Sequence, residues 1–177
     1  MFDTIREDFS QECRRSTYLG NFRKIFHALT APGFQAVFLF RLSHAFWKWR
    51  VPLVPVLLQR LNELWTGVSI SPQTKIGPGL VIYHCGGIVI NSKAVLGAHC
   101  ELHHHVTIGN RHPGGPSPRI GDRVAAGTGA VLIGDIMIGN DAEIGANAVV
   151  LESVPGGGVA VGVPAKVVRV KKMEGGG

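Results

Sequence analysis

From Ile90 onward the chain places an aliphatic residue at nearly every sixth position. Leu96, Leu102, Ile108, Ile120, Leu132, Ile138, Ile144 and Val150 keep that register, with Gly114 and Ala126 as its two departures. A glycine follows at Gly97, Gly109, Gly121, Gly127, Gly139 and Gly145. Four residues past the aliphatic comes a small or β-branched side chain, as at Ala94, Cys100, Val106, Val124, Ala130, Ala142 and Ala148. A period of six matches neither the 3.6 of a helix nor the 2 of a flat strand. It fits a parallel β-helix with three short sides per coil, each side turning one aliphatic inward. Ile70, Ile76 and Ile82 keep the same period two residues out of phase. The coil between Ile82 and Ile90 is therefore expected to bulge. Residues 110–119, Asn-Arg-His-Pro-Gly-Gly-Pro-Ser-Pro-Arg, read as a loop extruded from a coil, and the phase resumes at Ile120.

The first 68 residues lack this period. Pro32 and Gly33 start a helix expected to run to about Trp49; Pro52 and Pro55 punctuate, and a second helix runs to about Trp65. Composition supports the same division. Twelve of the thirteen aromatics precede residue 69 and 21 of the 24 glycines follow it, too sharp a segregation for one uniform fold. The expected organisation is a helical region over 1–68, a β-helix over 69–170 and a flexible tail over 171–177. With 177 residues, that is one domain plus a modest appendage.

Charge narrows the range of partners. Between Cys13 and Asn62 lie eight Arg or Lys and no Asp or Glu, more than the net +6 of the whole chain. Phe34, Phe38, Phe40, Phe46, Trp47 and Trp49 are interleaved with them. Such a segment suits an anionic membrane surface; it equally suits a helical cap packed on the β part or on another subunit. No nucleic-acid-binding motif accompanies the basic charge, so no nucleic-acid partner is expected. Three cysteines form no disulfide framework, no stretch reaches eighteen uncharged apolar residues, and Met1–Asp8 is acidic rather than signal-like. The expected location is the cytoplasm, with contact at the inner membrane face as the open alternative.

Three stretches carry a resemblance: His84-Cys85-Gly86-Gly87-Ile88-Val89-Ile90, Val106-Thr107-Ile108-Gly109 and Val161-Gly162-Val163-Pro164-Ala165-Lys166. Over about residues 68–170 the chain resembles the left-handed β-helix acyltransferases and, within them, the serine acetyltransferases. The resemblance implies a left-handed coil, a homotrimer, acetyl-CoA as donor and active sites between neighbouring β-helices, with no metal. Acetyl transfer to a hydroxyl needs a base for the departing proton and donors for the developing oxyanion. His84 sits in the phase break, beside glycines that let a ligand approach, and matches the family's catalytic histidine. Tyr83, His104, Arg111 and His112 are the candidate acceptor contacts. By resemblance the backbone at Thr128 and Ala146 contacts the donor, and Gly162 to Lys166 closes its far end. Lys166 and Arg169 are candidates for its phosphates. His103, His104 and His105 alternate in direction, so they do not all face one ligand in a monomer. Cys85 has no flanking charge to make it a nucleophile.

Some positions depart from the serine acetyltransferases. Tyr83 and Ser69 stand where that family carries aspartates, and Ser117-Pro118-Arg119-Ile120 stands where it carries a His-Pro-Lys-Ile stretch. Arg111 or Arg119 is available for an acceptor carboxylate, but no carboxylate is evident for an ammonium. The short basic N-terminal region resembles the serine-acetyltransferase-like enzymes of exopolysaccharide and colanic-acid-type synthesis. A sugar hydroxyl is therefore the expected acceptor, with O-acetylation of L-serine as the alternative. A non-catalytic scaffold and a carbonic-anhydrase-like zinc trimer held by interface histidines remain open.

Overall fold

A computed structural model describes residues 1–15 and 21–171, and the side chains of all but residues 21 and 22 among them. The tail expected over 171–177 lies, from residue 172, outside the described residues. Four helices come first: α1 (Phe2–Arg15), α2 (Asn21–Thr30), α3 (Pro32–Lys48) and α4 (Val54–Thr66). The last two match the proline punctuation, with Pro32 and Pro55 in their first turns. The first two were not anticipated. The fully buried residues of α1 are the acids Asp8 and Glu12, while Phe2, Ile5 and Phe9 form an apolar face toward Phe34.

The β part winds in coils. The first is β1 (Val68–Ile70), β2 (Lys75–Ile76) and β3 (Val81–Tyr83); the second is β4 (Ile88–Ile90), β5 (Val95–Leu96) and β6 (Glu101–His103). The third is β7 (Thr107–Gly109), β8 (Arg119–Ile120) and β9 (Ala125–Ala126), and the fourth β10 (Val131–Ile133), β11 (Met137–Ile138) and β12 (Glu143–Ile144). The fifth holds β13 (Val149–Val150) and β14 (Gly158–Gly162), and β15 (Ala165–Val170) folds back antiparallel on β14. Parallel pairing stacks these into three sides: β1-β4-β7-β10-β13, β2-β5-β8-β11, and β3-β6-β9-β12-β14. The loop at 110–118 leaves between β7 and β8. The hexad aliphatics from Ile90 to Val150 are buried together with Ala94, Cys100, Val106, Val124, Ala130, Ala142 and Ala148, forming one column of core inside the prism.

The helices dock at the first coil. Asp8 accepts from Arg41 at 2.8 and 3.2 Å and from the backbone N–H groups of Gly79 at 2.8 Å and Leu80 at 3.1 Å. Arg41 also donates to the carbonyls of Ile76 at 2.7 Å and Gly77 at 2.6 Å. A buried ion pair whose lone pairs and protons are this fully used fixes α1 and α3 against the chain entering β3. Gly33 lies so close to β3 that a Cβ there would run into the Ile82 carbonyl. Phe34 and Phe40 pack inward as in a cap, whereas Phe38, Trp47 and Trp49 face outward. Among the described residues no single helix is long and apolar enough to cross a membrane.

Candidate active site

The phase shift is visible as a two-residue insertion. Tyr83 pairs with His103, and Val89 with Thr107. In the second coil only His104 and His105 separate His103 from Val106; in the first, His84, Cys85, Gly86 and Gly87 separate Tyr83 from Ile88. The surplus is pushed outward at the corner between the third and first sides. His84 takes a positive φ of 55° and is exposed. Gly87, at φ 64°, passes directly under the His105 ring, where a side chain would collide.

That corner repeats up the prism. The register Leu102↔Ala126, Ala126↔Ile144 and Ile144↔Ala160 carries His104 onto Thr128, Ala146 and Gly162. Corner hydrogen bonds follow it, from Gly129 N–H to the His104 carbonyl at 3.0 Å and from Asn147 N–H to the Thr128 carbonyl at 2.7 Å. Four steps of about 4.8 Å make a strip roughly 19 Å long from His84 to Gly162. Small residues leave its wall open to an extended ligand. Lys166 and Arg169 project from β15 at the far end. Lys166 pairs with Glu152 at 3.3 Å, and all three are exposed.

Around His84 the rings form a cluster. His104 meets His84 edge-on with centroids 6.1 Å apart, and His105 meets His104 at 5.3 Å. His103 turns the other way and stacks on Tyr83 at 4.7 Å and 8°. Burial, then the neighbouring His104 and His84, pull the His103 imidazole below its ordinary range, so it stays neutral near pH 7. The Nδ1 of His104 is buried without a hydrogen-bond partner among the described residues. Burial and the Glu101 carboxylate push the Tyr83 phenol up. Burial, with Glu12 adding to it, raises the Cys85 thiol to about 11, so it carries no thiolate at neutral pH. Among the described residues no group of three or more His, Cys, Asp or Glu side chains is arranged to hold a metal ion.

Arg111 and His112 lie elsewhere. They line a cavity of about 340 Å³ with Gly134, Asp135, Ile136 and Leu151, beside the loop between the first and second sides. Within one chain the structure does not bring them to His84. Ser117 is buried and donates to Asn91 at 3.0 Å, so it presents no polar group outward.

Two carboxylates stand against the first coil, each already paired. Glu12 on α1 binds Arg15, whose guanidinium lies 3.8 Å from the Tyr83 ring centre. Glu63 on α4 accepts a hydrogen bond from the Ser69 hydroxyl, which holds its carboxyl below the ordinary range, with Arg60 at 2.6 Å contributing. Both acids flank the acid-free stretch from Arg14 to Asn62. Only the docking of α1 and α4 on the first coil brings them near, and no local pattern announces it.

Comparison with known proteins agrees with this architecture. The family described as bacterial transferase hexapeptide (six repeats) matches residues 117–152. The serine acetyltransferase of Synechococcus elongatus is 36% identical over 170 residues, covering 95% of this chain and 69% of that protein. That of Helicobacter pylori strain J99 is 41% identical over 142 residues, covering 79% and 83%. Among solved structures, serine acetyltransferase from Brucella abortus in complex with coenzyme A superposes with TM-score 0.86 at 29% identity, covering 94% of this chain and 67% of that one. The Neisseria gonorrhoeae enzyme in complex with serine gives 0.85 at 33%, covering 93% and 68%. With its coils, its bulged histidine corner and these relatives, the chain belongs to the serine acetyltransferase family, a family of acetyl-CoA-dependent acyltransferases.

Proposed function

We propose that this protein transfers the acetyl group of acetyl-CoA directly to the hydroxyl of L-serine, releasing CoA. The observation that carries the reading is the single corner strip running from His84 through His104, Thr128 and Ala146 to Gly162. It lays an open wall for a long thioester with a histidine at one end. His84 takes the hydroxyl proton as the serine oxygen attacks the thioester carbonyl. The C–S bond then breaks, and the same imidazolium returns the proton to the departing thiolate. No acyl-enzyme is formed, in keeping with a Cys85 thiol held protonated. Assembly as a homotrimer belongs to the proposal, because Arg111 and His112 can join a His84 site only from a neighbouring chain.

The acceptor named by the relatives moves L-serine ahead of the sugar hydroxyl expected from the departures at Tyr83, Ser69 and Ser117. The sugar reading keeps one specific support: Tyr83, next to the base, presents an aromatic surface where an amino-acid site would be expected to present a carboxylate. The two are separated by incubating the protein with acetyl-CoA and either L-serine or a panel of sugars and oligosaccharides, then weighing the products. O-acetylserine as the main product is the expected outcome. Acetylated glycan without O-acetylserine would overturn the serine reading.

A further inference from the structure

The last turn of α1 ends beside the base, and the acetyl transfer described above makes no use of it. Arg15 places its guanidinium carbon 3.8 Å from the centre of the Tyr83 ring, and Tyr83 is the residue before His84. Tyr83 is itself held flat by its stack on His103. Glu12, one turn earlier on the same helix face, grips one terminal nitrogen of Arg15 through both carboxylate oxygens, at 2.9 and 3.1 Å. The Glu12 side chain is 4% exposed and that of Arg15 29% exposed. The acid is thus an internal anchor and the guanidinium is what reaches solvent. A guanidinium carries five N–H donors in a rigid fork, and this pair occupies one nitrogen. The Nε and the second terminal nitrogen of Arg15 make no hydrogen bond among the described residues. Nearby groups register the same pair: Glu12 acts on the Cys85 thiol, and Arg15 on the His103 imidazole.

We infer that Arg15 binds the carboxylate of the acceptor and that Glu12 positions it, so that helix α1 selects an amino-acid acceptor. This rests on the L-serine reading above. Within one chain Arg119 lies on the second side of the prism and Arg111 in the loop before it, so Arg15 is the guanidinium that a single chain supplies beside Tyr83, in addition to whatever Arg111 brings from a neighbouring chain. A fixed guanidinium with a free N–H edge is the geometry that recognises a carboxylate in two-point fashion, and an aromatic face beneath it limits how far that edge can swing.

Steady-state kinetics on the full chain test the inference, comparing wild type with Arg15→Gln and Arg15→Lys. L-serine and acetyl-CoA are varied separately, and L-serinamide, which lacks the carboxylate, serves as a second acceptor. The expected result is a rise in the KM for L-serine of about 10- to 100-fold in Arg15→Gln, the range for losing a hydrogen bond to a charged group. Arg15→Lys should show a smaller rise, with the KM for acetyl-CoA and for L-serinamide within about twofold of wild type. An unchanged L-serine KM, or equal rises for L-serine and L-serinamide, would overturn the role of Arg15 while leaving the acceptor reading standing. Absence of turnover with L-serine in wild type would overturn both. Should Arg15→Gln fail to fold, the same comparison is read from Arg15→Lys alone.

Discussion

His84 owes its position to the two-residue insertion rather than to an unusual backbone, since the same left-handed φ recurs at the corner residues His99, His105, Arg123, Asp141 and Asn147. A non-glycine residue at φ 55° costs roughly 1–2 kcal/mol, at His84 as at those other corners, and what the insertion adds is an exposed ring. This much was legible in the chain, because a shift of phase in a six-residue period can only be absorbed by a bulge, and Gly86-Gly87 marked where. Arg15, Glu12 and Glu63 were not legible, because their place beside the site depends on tertiary docking. Cys85 shows the opposite hazard, a reactive residue type next to His84 with no reactivity to match. Burial keeps its thiol near 11, so Cys85→Ala is expected to retain acetyl-CoA turnover within about threefold, and Cys85 should alkylate slowly with iodoacetamide at neutral pH. Loss of turnover in Cys85→Ala would contradict direct transfer.

At the scale of elements, the site depends on how closely α3 lies on β3. A methyl group at Gly33 would strike the Ile82 carbonyl and push the strand that ends in Tyr83. Gly33→Ala is expected to cost about 1–3 kcal/mol in urea unfolding and to lower turnover as well. Gly109→Ala, where an added Cβ meets nothing within 4 Å, should stay within about 0.5 kcal/mol of wild type. Equal losses at the two positions would contradict the tight docking. The coils themselves were readable because each buried side chain repeats the same environment, so a period survives along the chain. The docking of helix α1 was unreadable for a physical reason. Phe2, Ile5 and Phe9 mark an apolar face, but the helix is fixed by Asp8 to Arg41 and to two backbone N–H groups, and no sequence pattern announces a buried acid.

For the whole molecule, the separation of His84 from the loop bearing Arg111 and His112 makes the proposed site a shared one. On that proposal neither corner is complete alone. If His84→Ala and the double variant Arg111→Ala, His112→Ala are each inactive, co-expressing them should restore part of the activity, because mixed trimers contain boundaries with both corners intact. Inactive mixtures, or an active loop variant, would contradict a site shared between subunits. The central claim is nevertheless the role of one histidine at the end of the corner strip. It is tested most directly by the rate of thiol release from acetyl-CoA in the presence of L-serine, wild type against His84→Ala, with CoA binding measured on both. The account predicts a fall of at least about 100-fold in kcat with CoA binding unchanged; a His84→Ala protein that keeps its turnover would contradict it.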